Sequence, residues 1–232
     1  MLLALPDWFR PVAEYMLREG LPETLRLAVI SVTASAVIGV LLGTLMTIKL
    51  RAVQWLIRSY IEVWRGLPIL VTTLFIYWLP NYHLGPFHIQ TEAYKSAAIA
   101  LSLWGSAQVA EATRGAVQSI PKEQHEAASA LGFGWIGRHT FVILPQALRR
   151  LLPPMVGLLV NIIQNTTIAF VIGVNEFLQA GTRQFENVTS GVAGPTAPSY
   201  AVFMIFGFVL LIFFVISFPL TRFAAFLERR LV

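Results

Sequence analysis

The stretch EAASALGFGWIGRHTFVILP, Glu126 to Pro145, decides how the rest of the chain is read, because it is a soluble-looking island between two hydrocarbon-compatible segments. Pro121, just upstream, suits the first turn of a helix, where its missing N–H costs nothing. From Lys122 to Leu131 every residue tolerates a helix, and Ala127, Ala128 and Ala130 leave a surface that a neighbouring backbone can approach closely. Gly132 then ends the helix, since glycine accepts the positive φ that a helix C-terminus often requires. The pattern fits a solvated loop helix, or a knuckle that another protein grips.

Composition sets the surroundings of this island. The chain has 232 residues, 56% of them hydrophobic and only 12% charged, with a mean hydropathy of +0.67. That is too apolar for a soluble domain of this length, and an all-α integral membrane fold is expected. About 20 apolar residues cross roughly 30 Å of hydrocarbon. Charge-free runs cover 27–48, 66–91, 96–110, 151–175 and 187–221. They predict five transmembrane helices, near 22–48, 55–80, 94–119, 146–173 and 200–226, preceded by an N-terminal segment over 1–20. The membrane domain is read over 21–232, with the island near 120–145.

Positive charge gives the orientation, since basic residues concentrate on the cytoplasmic side. Lys49, Arg51 and Arg58 flank the first loop, Arg114, Lys122, Arg138, Arg149 and Arg150 surround the island, and Arg222, Arg229 and Arg230 follow the last helix. The expectation is an N-terminus outside, with the island and C-terminus inside. The net charge of +5 reflects this bias, not a nucleic-acid stripe. Asp7, Arg10, Glu14, Arg18 and Glu19 interrupt any signal-peptide core. Trp8, Phe9, Val12 and Met16 share one helical face, which suits a helix lying in the outer interface. Absence of cysteine excludes disulfides and thiolate metal sites.

Polar groups inside membrane helices are costly, so each is a functional candidate. Asn161, Gln164 and Asn165 lie at i, i+3 and i+4, with Thr166 beside them; that face fits a water-filled path or interhelical hydrogen bonding. Gln108, Glu111 and Arg114 follow at three-residue steps, with Glu111 and Arg114 able to neutralise each other; a gating role is the alternative. Glu62 and Arg65 are spaced to pair at i, i+3. Ser35, Gly39 and Gly43 form a small-residue stripe for helix packing. Gly66 and Pro68 can loosen the second helix, and Pro153-Pro154 the fourth.

No catalytic set emerges. His125-Glu126-Ala-Ala-Ser129 lacks the second histidine of a zinc-protease helix, and His83, His88, His125 and His139 divide between opposite sides of the expected membrane. Ser119 and Lys122 have Ser-x-x-Lys spacing without a companion motif. No phosphate-binding Gly-x-x-x-x-Gly-Lys-Ser/Thr loop occurs, so the chain is not expected to hydrolyse ATP itself.

The island resembles the EAA loop of ABC importer permeases: Glu-Ala-Ala, three residues, Gly, nine residues, Ile, any residue, Leu-Pro. Glu126, Ala127, Ala128, Gly132, Leu144 and Pro145 match in register, with Val142 in place of isoleucine. Glu62-Val-Trp-Arg65-Gly66-Leu-Pro68, Ala110-Glu111-Ala-Thr-Arg114-Gly115, Gln118-Ser-Ile-Pro121 and Ile172-Gly173-Val174-Asn175-Glu176 extend the similarity to the polar amino acid subgroup, from about Leu21 onward. In related permeases the fourth helix commonly reads Lys-Asp-Thr-Ser; Gln164-Asn165-Thr166-Thr167 replaces both charges with amides. The resemblance implies a type I importer architecture and a polar amino acid substrate. It also implies a separate ATPase that holds ATP and Mg, a second permease subunit and an extracytoplasmic solute-binding protein. The outer loop over 174–199, rich in Gly, Pro and Thr, fits a face for that binding protein or a mere linkage between two helices. Glu126, Ala127, Ala128 and Gly132 would couple to the ATPase. An ion-coupled secondary transporter is the main alternative, although no internal repeat supports it. A membrane enzyme is a remoter third.

Overall fold

The computed structural model describes residues 6–48, 50–79, 92–190 and 198–231, and it is helical throughout apart from short connections. α1 (Phe9–Tyr15), a π turn (Met16–Gly20) and α2 (Leu21–Leu45) run as one rod. α3 (Arg51–Gly66) and α4 (Ile69–Trp78) follow, then α5 (Ala93–Gln118). The island folds as α6 (Lys122–Ala130) and α7 (Trp135–Arg138), which lead through a π turn (His139–Ile143) into α8 (Leu144–Asn165). α8 tightens into a 3₁₀ helix (Thr166–Ile172), and α9 (Phe177–Thr189) and α10 (Ala201–Leu231) close the chain.

α5 is the axis of the bundle. Its buried residues are mostly small, among them Ala97, Ala100, Gly105, Ser106, Ala107 and Ala110. Small side chains let α2, running parallel, come to backbone distance. A methyl placed on Gly39 would lie 2.5 Å from Val109 Cβ, and one on Gly43 would collide with the Ala110 carbonyl. The Ser35–Gly39–Gly43 stripe is therefore a packing seam, as its spacing predicted. α8 lies antiparallel along α5, with Ala116, Val117 and Ile120 against Ile143, Ala147 and Leu151, and at Gly105 it meets α2 as well. Among the described residues three helical stretches are long and apolar enough to cross a membrane alone, and the α3/α4 pair, taken as one span, adds a fourth. α5 falls below that apolarity because protein, not lipid, surrounds it. With its 26 residues it is nevertheless ~39 Å long, enough to reach across a bilayer, so the helix count is roughly that expected.

Four elements depart from the sequence expectation. The second span is not one helix over 55–80, because α3 and α4 meet at 102°. Leu67 (ψ 138°) and Pro68 (ψ 123°) are extended there, since the residue before a proline avoids the α region. Pro153 and Pro154, by contrast, sit within α8 without interrupting it. The stretch read as an outer loop over 174–199 contains α9, whose amphipathic face buries Phe177, Ala180, Gly181 and Val188. The N-terminal segment is continuous with α2, and its Phe9, Val12 and Met16 pack on Phe177, Ala180, Val188, Ile205 and Val209. The apolar face expected to meet lipid headgroups meets α9 and α10 instead. His83 and His88 lie outside the described residues, as does Lys49.

Candidate functional site

Two polar regions lie toward the same end of the bundle. The first is the α6–α7 knuckle. Gly132, at φ +83°, lets the chain reverse: Gly132 N–H donates to Ser129 O and Phe133 N–H to Ala128 O, capping the last carbonyls of α6. Arg138 Nη1 donates to Ser129 Oγ at 2.9 Å, tying α7 to α6. His139 is buried, stacked on Trp135 with ring centroids 4.2 Å apart. Its Nδ1 meets Trp135 O at 2.9 Å and its Nε2 meets Thr47 Oγ1 at 3.0 Å, fastening the knuckle to the end of α2. Arg150 Nη1 donates to Ser119 O at 2.6 Å, clamping α8 to the end of α5.

Within α6, Glu126 and Ala127 are exposed, whereas Ala128 is buried in its own chain. The outward apolar surface comes from residues the sequence did not single out: Leu131 (78% exposed), Ile136 (74%) and Phe141 (71%). Burial, reinforced by nearby Arg138, pushes the His125 imidazole below its ordinary range, so it is neutral at pH 7.

The second region is a pair of cavities that share Arg65 and Glu111. The inner one, about 660 Å³, is lined by Arg65, Gln108, Glu111, Asn161, Gln164 and Thr221 among others. It thus joins α3, α5, α8 and α10, residues far apart in sequence. The outer one, about 650 Å³, continues along Glu62, Arg58, Arg114, Gln118 and Arg51. α3 is seated on α5 by Ile57 and Ile61, which pack on Ala110, and by Tyr60 Oη, 2.7 Å from Ser106 Oγ, and its charged flank lies beside that contact.

Of the fourth-helix polar set, Asn161 and Gln164 reach the inner cavity. Gln164 Nε2 also lies 3.4 Å from Ser217 Oγ on α10. Asn165 and Thr166 do not line it: the chain tightens at Thr166, whose buried hydroxyl donates to Ile163 O. Glu111 accepts from Arg114 Nε at 3.0 Å, the neutralising pair the spacing suggested. Glu62 pairs with Arg58 at 2.8 Å, not with Arg65, whose Nε donates to Gln108 Oε1 at 3.2 Å instead. The i, i+3 pairing expected for Glu62 and Arg65 is corrected by this cross-helix contact. Pro154 and Gly157, two turns and one turn before Asn161, also line the inner cavity and were missed as site residues. Their common face with Asn161 and Gln164 was the available signal.

Residues 35–232 match the family described as binding-protein-dependent transport system inner membrane component. The chain belongs to that family. Among curated relatives of this inner membrane component is the glutamine transport system permease protein GlnP of Escherichia coli K12. It is 36% identical over 93% of this chain and 93% of its own length. The probable glutamine ABC transporter permease protein GlnM of Bacillus subtilis is 32% identical, again over 93% of both chains. The crystal structure of an amino acid ABC transporter with histidines superposes with a TM-score of 0.75 at 28% identity, covering 96% of this chain and 95% of that one. An inward-facing MetNI methionine ABC transporter shares the fold, with a TM-score of 0.71 at 18% identity over 94% and 98%. The inner membrane component is therefore a multi-pass ABC importer permease of type I architecture, as the EAA resemblance implied. The ion-coupled secondary transporter is set aside.

Proposed function

We propose that this chain is the membrane subunit of an ATP-driven importer of polar amino acids, passing them along the inner and outer cavities from the α9 end of the bundle to the α6 end. One observation carries the reading: the polar cavity and the knuckle are built on the same two helices. α5 supplies Gln108 and Glu111 to the cavity and is clamped through Ser119 to α8. α8 supplies Asn161 and Gln164, and grows out of the knuckle. A pull on the knuckle is a pull on both cavity walls, the rigid-body coupling an importer needs.

The α6 end faces the cytoplasm in this reading, in keeping with the basic residues around it, and the N-terminus lies outside. A separate ATPase holds ATP and Mg. Glu126 contacts its rim, Ala127 allows close approach, Ala128 fixes α6 to this chain, and Gly132 sets the turn. Leu131, Ile136 and Phe141 add the apolar contact. A second permease subunit completes the pathway, and a solute-binding protein delivers substrate near α9. Relatives that bear glutamine in their names support an amino acid cargo, and the amide-rich wall of Asn161 and Gln164 suits a polar one.

The test is reconstitution with the ATPase and binding protein in proteoliposomes, followed by uptake of labelled glutamine, glutamate and aspartate. Uptake that requires ATP and survives collapse of ion gradients is the expected result; gradient-driven uptake by this chain alone would overturn it. Because native cysteine is absent, Glu126→Cys gives a single labelling site. Its modification from the exterior of intact cells would overturn the orientation.

A further inference from the structure

We infer that Arg65 is a specificity-determining charge gate between the two cavities, admitting amino acids of zero or negative net charge and turning back cationic ones. This rests on the amino acid reading above. The outer cavity carries four guanidinium groups, Arg51, Arg58, Arg65 and Arg114, against two carboxylates, Glu62 and Glu111, a surplus of two positive charges. Both carboxylates are already engaged, Glu62 by Arg58 and Glu111 by Arg114. Among the described residues neither Arg51 nor Arg65 enters an ion pair.

Of the four guanidinium groups only that of Arg65 borders both cavities, where it stands beside the already engaged Glu111. Its Nε is held by Gln108 Oε1, which orients the guanidinium without neutralising it. The two terminal nitrogens remain to meet a carboxylate in the fork geometry that arginine favours. Every amino acid brings an α-carboxylate, so Arg65 gives a foothold to all of them. Discrimination comes from the side chain. An amide or a second carboxylate finds Gln108, Asn161, Gln164 and surplus positive charge. A guanidinium or ammonium finds no uncommitted acid in either cavity, and like charges brought together are disfavoured.

The test is equilibrium binding of labelled glutamate, glutamine and arginine to the purified permease–ATPase complex. The solute-binding protein is omitted so that its own preference does not enter. Wild type is expected to bind glutamate and glutamine in preference to arginine. Arg65→Gln weakens the shared α-carboxylate foothold for all three, which cancels in the ratio, but should also reduce the glutamate-to-arginine affinity ratio roughly ten- to a hundredfold, the worth of one charge-assisted contact with the side chain. Arg65→Lys should keep the preference, and Arg65→Glu should reverse it. A purely structural role would lower all three affinities together. Equal binding of the three by wild type, or an unchanged ratio in Arg65→Gln, would overturn the gate and leave the amino acid reading standing. Failure of wild type to bind any of the three would overturn that reading and the gate with it.

Discussion

The knuckle and the cavity are both polar regions of an apolar chain, yet they are held in opposite ways. Most of the knuckle's bonds join residues close in sequence: Phe133 to Ala128, Ser129 to Arg138, Trp135 to His139. Such a unit keeps its shape when its surroundings move. Among the described residues the cavity is braced only by contacts that cross between helices, Arg65 to Gln108 and Gln164 to Ser217. Arg65, Glu111, Gln164 and Thr221 come from four helices, and its volume depends on where those helices stand. A stiff handle attached to a deformable passage is the division that coupled transport requires, because deformation at the handle would dissipate the pull.

The sharpest way to break this contrast is to soften the handle. Gly132→Pro imposes φ near −65° where +83° is needed and removes the N–H that caps Ser129. Uptake should fall far more than tenfold, while ATP hydrolysis and membrane insertion persist; Gly132→Ala, strained by only about 1–2 kcal/mol, should fall between. Glu126→Lys tests the same handle by charge and should also separate hydrolysis from uptake. Coupled uptake at wild-type level in both Gly132→Pro and Glu126→Lys would sink the handle assignment.

Altering the passage should do the reverse. Asn161→Leu and Gln164→Leu each remove hydrogen-bonding capacity from the cavity wall. Each should lower uptake roughly tenfold, about the worth of one such bond, with coupling of residual uptake to hydrolysis unchanged. Thermal stability should stay within about 0.5 kcal/mol, as for surface changes. A fall in stability much beyond that would show the two amides acting as interhelical glue.

The same contrast explains what could be read in advance. The knuckle was legible because its determinants are local: Pro121, the alanines and Gly132 announce start, face and stop within a dozen residues. The membrane segments were legible because hydrocarbon demands a run of a given length. The cavity was only half legible. Helical spacing put Asn161 and Gln164 on one face, but the contact of Arg65 with Gln108 crosses from α3 to α5, and nothing within one helix encodes it. The break after Gly66 was marked by Pro68; its 102° angle follows from how α4 packs beneath α5. α9 escaped notice because its 13 residues are too short and too polar for a span. The signal it did carry was the helical spacing of Phe177, Ala180, Gly181 and Val188.

A milder cut falls where the handle meets α2. Thr47→Val keeps the shape of the side chain and deletes the hydroxyl beside His139 Nε2. The loss of one such bond, about 1 kcal/mol, should lower coupled uptake two- to fivefold and leave substrate affinity alone. An equal change in affinity would mean that handle and passage are less separate than their bonding suggests.

The smallest effect expected is a difference in pH response between the two ends. At the α9 end Glu176 is fully buried, accepting from Leu178 N–H at 2.9 Å and Gln179 N–H at 2.7 Å. Burial outweighs these bonds and pushes its carboxyl up to about 7. A group whose pKa is raised by folding contributes stability that is complete below the unfolded value, near 4.5, and lost as pH rises through 7. At the α6 end His125 is shifted the other way, below 6.5. Its contribution is complete above 6.5 and lost as pH falls. Melting of the detergent-purified protein between pH 5 and pH 8 should therefore show an alkaline loss reduced by Glu176→Gln and an acidic loss reduced by His125→Gln, the rest of the acidic limb belonging to buried His139, shifted the same way. If Glu176→Gln left the alkaline limb unchanged, Glu176 would have to be ionised in the folded protein, and the cap of α9 would be a charged one.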